Sequence, residues 1–399
     1  MSSAQEPPGD DIPFARPFIG REEEEAALRV LRSGWLTTGA EALAFEKEFS
    51  AFLQSPISNI IDTPIYCLAV NSATSGLHLA LEAVGVGPGD LVLVPSLTFT
   101  ATAEVVRYLG ADPVFVDVAP GTFHMDPLML KQTLERLPEG KAKAVIPVHY
   151  GGLLCDMKAI TEIARRHGLR VIEDAAHSFP AFADGSFAGT KGDVGVFSFY
   201  ATKTITTGEG GMVVTQDREI AERISVMRSH GIDRSVWNRY SDTKASWYYE
   251  VVEAGYKYNL PDILAAIGRV QLSRAEDLLR ARVEIAAAYD TALAGDDRFL
   301  LPPTGPGDAR HLYPLRLNLE RAGVSRNTFI EKLKGAGIGV SVHFIPLHTM
   351  PFYKNRYQLS EEDFPQTMKS YRREISLPIW PGMTGDQVER VIAAVRGLS

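Results

Sequence analysis

The stretch Phe197 to Val214, FSFYATKTITTGEGGMVV, sets one lysine where its amine could serve as a nucleophile. An alternating apolar run (Val194, Val196, Phe197, Phe199) leads into it, and Gly-Glu-Gly-Gly and a second apolar run follow. The pattern reads strand, exposed loop, tight turn, strand. Lys203 stands in the loop between Thr202 and Thr204, whose small hydroxyl side chains leave room for a bound group. A lysine hemmed in by two strands and a glycine turn is partly desolvated. Its pKa falls, and the neutral amine becomes available for Schiff-base chemistry. The competing reading is an ordinary surface lysine, and the constraint on both sides weighs against it.

Other groups stand at the ends of apolar runs. In VIEDAAHS (Val171 to Ser178), Asp174 closes a strand, and Ala175 and Ala176 leave space beside it. A buried carboxylate without a partner is costly. Either an arginine or the protonated nitrogen of a pyridine ring would satisfy it, and an acidic residue opposite that nitrogen is the expected partner of pyridoxal phosphate (PLP). His177 would touch such a ring or be a satisfied interior histidine. NSATS, Asn71 to Ser75, joins a strand to a helix start. Backbone amides and hydroxyls of Ser72, Ala73 and Thr74 would face what lies above the helix, where the macrodipole favours a phosphate. Plain N-capping explains them as well. Ser198 is a second candidate phosphate ligand, and Phe99 in PSLTFTAT a candidate ring cover. No metal site is expected, since neither Cys67 nor Cys155 has metal-ligand spacing.

These residues need strands to hold them. From YCLAV onward, strand, turn and helix alternate through DLVLVPS, PVFVDV, AKAVIPVHY, RVIEDAA and VGVFSFY. Near-continuous apolar strands alternating with helices predict an α/β fold with a mostly parallel central sheet covered on both faces. In such sheets ligands gather at the carboxyl ends of the strands. Residues 1–12 read as a flexible tail, 13–260 as the large domain, 261–293 as a long connecting helix, and 294–399 as a smaller α+β domain. Arg21 to Leu31 has helical periodicity. Ahead of the sheet, GWLTTG is a turn whose Trp35 would either pack in the core or make a ligand or subunit contact.

The chain has 399 residues, 45% hydrophobic and 23% charged, with a formal net charge of −8. That balance is ordinary for a soluble enzyme and, with no basic block, disfavours nucleic-acid or anionic-membrane partners. The acidic start, MSSAQEPPGDD, is unlike a secretory signal, and no apolar run has membrane-spanning length. With two cysteines and no disulfide framework, a cytoplasmic location is expected.

NSATSGLHLAL, VPSLTFTATAE, PVFVDV, PVHYGG, VIEDAAHS, FSFYATKTITTGEGGMVV, GYKYNLPDILAAIGRVQL and VHFIPLH together resemble the DegT/StrS-type sugar-nucleotide aminotransferases. These are PLP enzymes with the three-layer transferase fold of type I. The resemblance runs from about Ile12 to Arg396. It implies that Lys203 carries PLP as an internal aldimine, with pyridoxamine phosphate as the other half-reaction form. Asp174 would face the pyridine nitrogen, His177 would lie near the ring hydroxyl, and Phe99 would stack. Ala73, Thr74 and Ser198 would contact the phosphate. Asn259, in GYKYNL, would reach the phosphate of a partner subunit, which makes a homodimer necessary for a complete site. Trp35, Thr37 and His343 would lie near the sugar.

The implied reaction moves an amino group from glutamate to a nucleotide-linked keto-deoxy sugar. GYKYNL leans toward amination at C4 rather than the GYNYR form. Thr204-Ile205 stands where Asn-Leu is frequent, and Phe99 where some relatives carry tryptophan. Arg228, Arg234 and Arg239 are candidates for the donor carboxylate. The alternatives are a PLP-dependent sugar dehydratase, against which retention of Lys203 argues, and a non-catalytic PLP-binding relative. A Rossmann dehydrogenase would need G-x-G-x-x-G after the first strand, which NSATSG lacks.

Overall fold

The computed structural model describes residues 11–55, 64–233 and 248–398. Two helices, α1 (Arg21–Ser33) and α2 (Ala40–Gln54), precede the sheet. Strands β1 (Tyr66–Val70), β2 (Leu91–Pro95), β3 (Asp112–Val116), β4 (Ala142–Val145) and β5 (Arg170–Asp174) then alternate with helices α3 (Ala73–Ala83), α4 (Ala101–Tyr108), α5 (Pro127–Arg136) and α6 (Met157–His167). A small hairpin, β6 (Phe182–Ala183) and β7 (Ser186–Phe187), separates them from β8 (Val194–Ser198), β9 (Gly211–Thr215) and α7 (Arg218–Met227).

The large sheet has the order β1-β9-β8-β5-β4-β2-β3. Every neighbouring pair is parallel except those of β9, which runs antiparallel to β1 and β8. The reason is local: α4 crosses between β2 and β3 and α6 between β4 and β5, whereas residues 199–210 fold back onto the end of β8, with Thr207 N donating to Phe199 O, so β9 returns beside β8 in the opposite direction. Both faces are covered. Val70, Val196 and Val213 pack with Leu77 of α3 on one side. Their neighbours Ala69, Phe197 and Met212 pack with Phe45 and Phe49 of α2 on the other. This is the three-layer arrangement the alternation predicts. Helix α3 lies very close to the sheet, since a Cβ at Gly76 would come 2.7 Å from Val196 Cγ1 and 3.1 Å from Val213 Cγ2.

The stretch 261–293 departs from a single helix. It forms α8 (Asp262–Ser273) and α9 (Ala275–Leu293), with Arg274 between them at φ −111° and ψ 7°. Beyond it, β10 (Phe299–Leu300), β11 (Tyr313–Leu317), α10 (Arg326–Gly335), α11 (Pro351–Tyr357), α12 (Pro365–Tyr371), β12 (Glu374–Leu377) and α13 (Gly385–Gly397) complete the chain. Three antiparallel strands, β10-β11-β12, share a core with α9, α10 and α13, including Tyr289, Tyr313, Phe329, Ile375 and Val391.

The expectation that 1–12 is a tail fails at its last residue. Ile12 is 1% exposed in this second core, its N–H donates to Gly337 O at 2.8 Å, and its carbonyl accepts from Gly339 N at 2.8 Å. An apolar side chain with a paired backbone is worth ordering. Among the described residues, no helix is long and apolar enough to cross a membrane.

Candidate active site

A cavity of about 500 Å³ opens where β5 and β8 end and α3 begins, with residues of the C-terminal region forming another wall. Lys203, Asp174, His177 and Ser198 line it together, as do Ala73, Thr74, Phe99 and His343. The loop that carries Lys203 is less exposed than expected. Thr204 to Thr207 are buried, because Thr206 Oγ1 and Thr207 N both donate to Phe199 O at 3.0 Å and fold the chain back onto β8. Lys203 N donates to Tyr200 O at 2.9 Å, so the lysine sits in a fixed turn.

Burial is the main reason the Lys203 amine falls from 10.5 to about 8; Asp174 holds it up, and Arg282 pushes it down. At pH 7 that leaves about one lysine in ten neutral, against about one in 3,000 at the ordinary value. Asp174 terminates β5, where Thr102 Oγ1 donates to Oδ2 at 2.9 Å and Ala176 N to Oδ1 at 3.2 Å. Burial raises its pKa despite those two donors. Among the described residues it has no ion pair, so the arginine partner weighed for it is not there. His177 Nδ1 accepts from Gly151 N at 3.2 Å, which leaves any ring proton on Nε2. Burial first, then Lys203 and His343, keep the ring neutral.

Helix α3 supplies the other pole. Ser72 caps it by accepting from Ser75 N at 3.1 Å, and Ala73 and Thr74 form its first turn at the cavity wall. First-turn amides have no carbonyl four residues back within the helix. The sheet comes close here only because Gly211 lacks a side chain: a Cβ there would sit 2.8 Å from Ala73 N. Ser198 Oγ accepts from Tyr200 N at 3.3 Å, which leaves its own proton to donate.

A buried carboxylate without a counter-ion, a half-buried amine of lowered pKa and a capped helix N-terminus thus share one cavity. This donor set fits PLP: a cation for Asp174, an aldehyde for Lys203 and a phosphate for α3.

The structure does not bring Trp35, Thr37 or Asn259 to the cavity of their own chain. Asp262 holds the GWLTTG loop against the start of α8, accepting from Gly39 N at 2.6 Å and Ala42 N at 3.0 Å. Thr38 Oγ1 donates to Leu260 O at 2.6 Å and accepts from Asn259 Nδ2 at 2.5 Å. Trp35 Nε1 donates to Thr38 O at 3.3 Å, so Trp35, Thr38 and Asn259 form one patch. Arg228 does not line the cavity either; it binds Glu46 and, at 2.7 Å, Ala69 O. Arg234 and Arg239 lie outside the described residues. Sequence reasoning missed Phe14, His311 and Phe344 on the wall and Thr102 behind Asp174. Thr102 and Phe344 carried a signal, lying inside the quoted VPSLTFTATAE and VHFIPLH; Phe14 and His311 did not.

A sequence model of the DegT/DnrJ/EryC1/StrS aminotransferase family matches residues 17–396. The chain is 44% identical over 391 residues to the spore coat polysaccharide biosynthesis protein SpsC of Bacillus subtilis, covering 97% of each. It superimposes with a TM-score of 0.87 on Spr1654 of Streptococcus pneumoniae, a putative sugar aminotransferase solved in its PMP form, at 31% identity over 97% of this chain and 99% of that one. Spr1654 is also solved in its PLP form. PseC of Helicobacter pylori, an aminotransferase in pseudoaminic acid biosynthesis, superimposes with a TM-score of 0.86 at 27% identity over 98% and 99%. A match across nearly the whole chain, on a fold and cavity suited to PLP, leads to one conclusion: the chain belongs to the DegT/DnrJ/EryC1/StrS aminotransferase family of PLP-dependent enzymes.

Proposed function

We propose that this enzyme transfers the amino group of glutamate to the keto group of a nucleotide-linked keto-deoxy sugar, at C4. The observation that carries the proposal is the meeting of Lys203 and Asp174 in one cavity beside the first turn of α3. Ala73 and Thr74 amides with the Ser198 hydroxyl would hold the phosphate of PLP, and Phe99 would cover its ring. When bound, the cofactor supplies an aldehyde to accept amines and a ring that takes up negative charge.

The remaining chemistry falls to the side chains. Lys203 Nζ takes a proton from the donor's alpha carbon and, when the acceptor is aminated, delivers one to the sugar carbon that gains nitrogen. Its lowered pKa suits it to both directions near neutral pH. Asp174, with no cation of its own, keeps a facing ring nitrogen protonated. Neutral His177 offers Nε2–H without adding positive charge beside Lys203. Burial of these groups strengthens each interaction and keeps water from competing.

The sugar acceptor agrees with the names of the relatives: SpsC is a polysaccharide biosynthesis protein, Spr1654 a putative sugar aminotransferase. The patch of Trp35, Thr38 and Asn259, with the neighbouring Thr37, would complete the site of a second copy in a homodimer. One set of substrates using one cavity in turn gives ping-pong kinetics. The test is an aminotransfer screen of keto-sugar nucleotides with glutamate, read by mass spectrometry. A sugar gaining nitrogen with matching release of 2-oxoglutarate supports the proposal. A sugar losing water with no need for glutamate refutes it.

A further inference from the structure

His343 lines the cavity from a bend two residues after Ser341, which bridges to Ser376 of β12, and is held at three points. Its N–H donates to Glu374 Oε2 at 2.9 Å, its carbonyl accepts from the Tyr150 hydroxyl, and its Nδ1 lies 2.8 Å from Ser376 Oγ. Ser376 Oγ in turn lies 2.5 Å from Glu374 Oε1. Glu374 and Ser376 are 1% and 0% exposed, yet Glu374 has no ion pair among the described residues. A buried carboxyl linked through one hydroxyl to an imidazole on a cavity wall is an unusual expense for the fold.

We propose that Glu374, Ser376 and His343 form a proton chain that makes His343 a second proton carrier in the cavity, acting on an oxygen of the bound sugar. This rests on the sugar-acceptor reading above. The chain has two states. With Glu374 protonated, Oε1–H donates to Ser376, Ser376 donates to His343 Nδ1, and the ring proton is on Nε2. With Glu374 ionised, both bonds reverse: Nδ1–H donates to Ser376, Ser376 donates to Oε1, and Nε2 becomes an acceptor.

Converting a ketone to an amine expels its oxygen as water, so that oxygen must gain protons. When Nε2–H gives its proton to the oxygen, Nδ1 takes the Ser376 proton and Ser376 takes the Glu374 proton. The negative charge ends on Glu374, solvent later restores the proton, and the ring never becomes cationic. The surroundings suit this. Burial raises Glu374 to about 8 although Ser376, the His343 N–H and Arg326 favour its ionised form. Burial, then Lys203, lowers His343 to about 3, which disfavours imidazolium. The other groups facing Glu374 are Arg326, which donates to its backbone carbonyl at 3.3 Å, Arg316 opposite it on β11, and Tyr150. None of these is paired with its carboxylate.

The test uses the full-length protein and two variants. In Glu374→Gln, the amide oxygen must accept from the His343 N–H, so its NH2 faces Ser376 and holds the chain in the donor state. In Ser376→Ala the link is cut. The first readout is ¹⁵N NMR of the His343 ring, assigned by its loss in His343→Gln. The wild type should move the ring proton from Nε2 to Nδ1 as pH rises through about 8, and Glu374→Gln should stay on Nε2. One tautomer throughout in the wild type, or a variant that titrates like it, overturns the chain. The second readout compares half-reactions with glutamate and with the keto sugar. Both variants should lose about 10- to 100-fold more in the sugar half-reaction, the range of a missing proton donor. Equal losses in both overturn the assignment to the sugar. A wild type that aminates no keto sugar but shows the tautomer shift would sink the functional reading and leave the chain standing.

Discussion

At the scale of single residues, the cavity is defined by two ionisable groups whose environments push them toward each other's range. Lys203 is lowered and Asp174 is raised, both mainly by burial. Lys203→Ala should abolish turnover and the visible spectrum of bound PLP together; an active variant would refute the assignment. In cofactor-free wild type, the rate of PLP uptake should rise with pH up to about 8 and then level off, because only the neutral amine attacks. Asp174→Asn keeps the shape but loses the charge that a ring nitrogen needs. It should retain some PLP and transaminate about 100-fold more slowly, as when a preorganised electrostatic partner is removed. Its stability should change the other way. A carboxyl raised in the folded state binds its proton more tightly there than when unfolded, so its burial costs more stability as pH rises through that window. Cofactor-free Asp174→Asn should therefore melt above cofactor-free wild type at neutral pH. A lower melting temperature would mean that Asp174 is already paired by a cation.

At the scale of elements, the legible part of the site is the part built on regular structure. Thr74, Asp174 and Ser198 each follow or end an apolar strand, and apolar runs mark strand ends in any sequence. Lys203 was legible for the same reason, three residues past Tyr200 in the return from β8 to β9. What stayed hidden came from irregular chain. Phe14 and His311 reach the wall from segments with no periodicity, and the tail reading of Ile12 failed because its partners Gly337 and Gly339 are more than three hundred residues away in sequence. The antiparallel course of β9 was also unread, because the turn that produces it rests on Thr206 and Thr207 bonding back to Phe199 O, which no periodicity marks. Close approach is the other hidden quantity. Gly76 lets α3 press on Val196 and Val213, so Gly76→Ala should lower stability by about 1–3 kcal/mol through overpacking, measured by denaturant midpoint. Because α3 carries Ala73 and Thr74, PLP affinity should weaken in the same variant. A loss of stability with unchanged affinity would show that the helix end tolerates the shift.

At the scale of the whole molecule, the residues absent from the cavity are the informative ones. Trp35, Thr38 and Asn259 are gathered by Asp262 and Leu260 into one patch that does not line the cavity of its own chain. If that patch serves a second copy, Asn259 of one subunit and Lys203 of the other belong to the same site, and a mixing experiment can tell. Take Lys203→Ala and Asn259→Ala, each impaired as a pure protein, then unfold and refold them together or co-express them. In a hybrid dimer, one site combines the altered Lys203 with the altered Asn259 position and is dead. The other combines an intact Lys203 with an intact Asn259 and is native. Random pairing makes about half the dimers hybrid, so about a quarter of all sites become native. Activity should recover to about that level of the wild type. If Asn259 instead acted within its own chain, every site in the hybrid would carry one defect. Mixing would then restore nothing, and the two-subunit site would have to be abandoned.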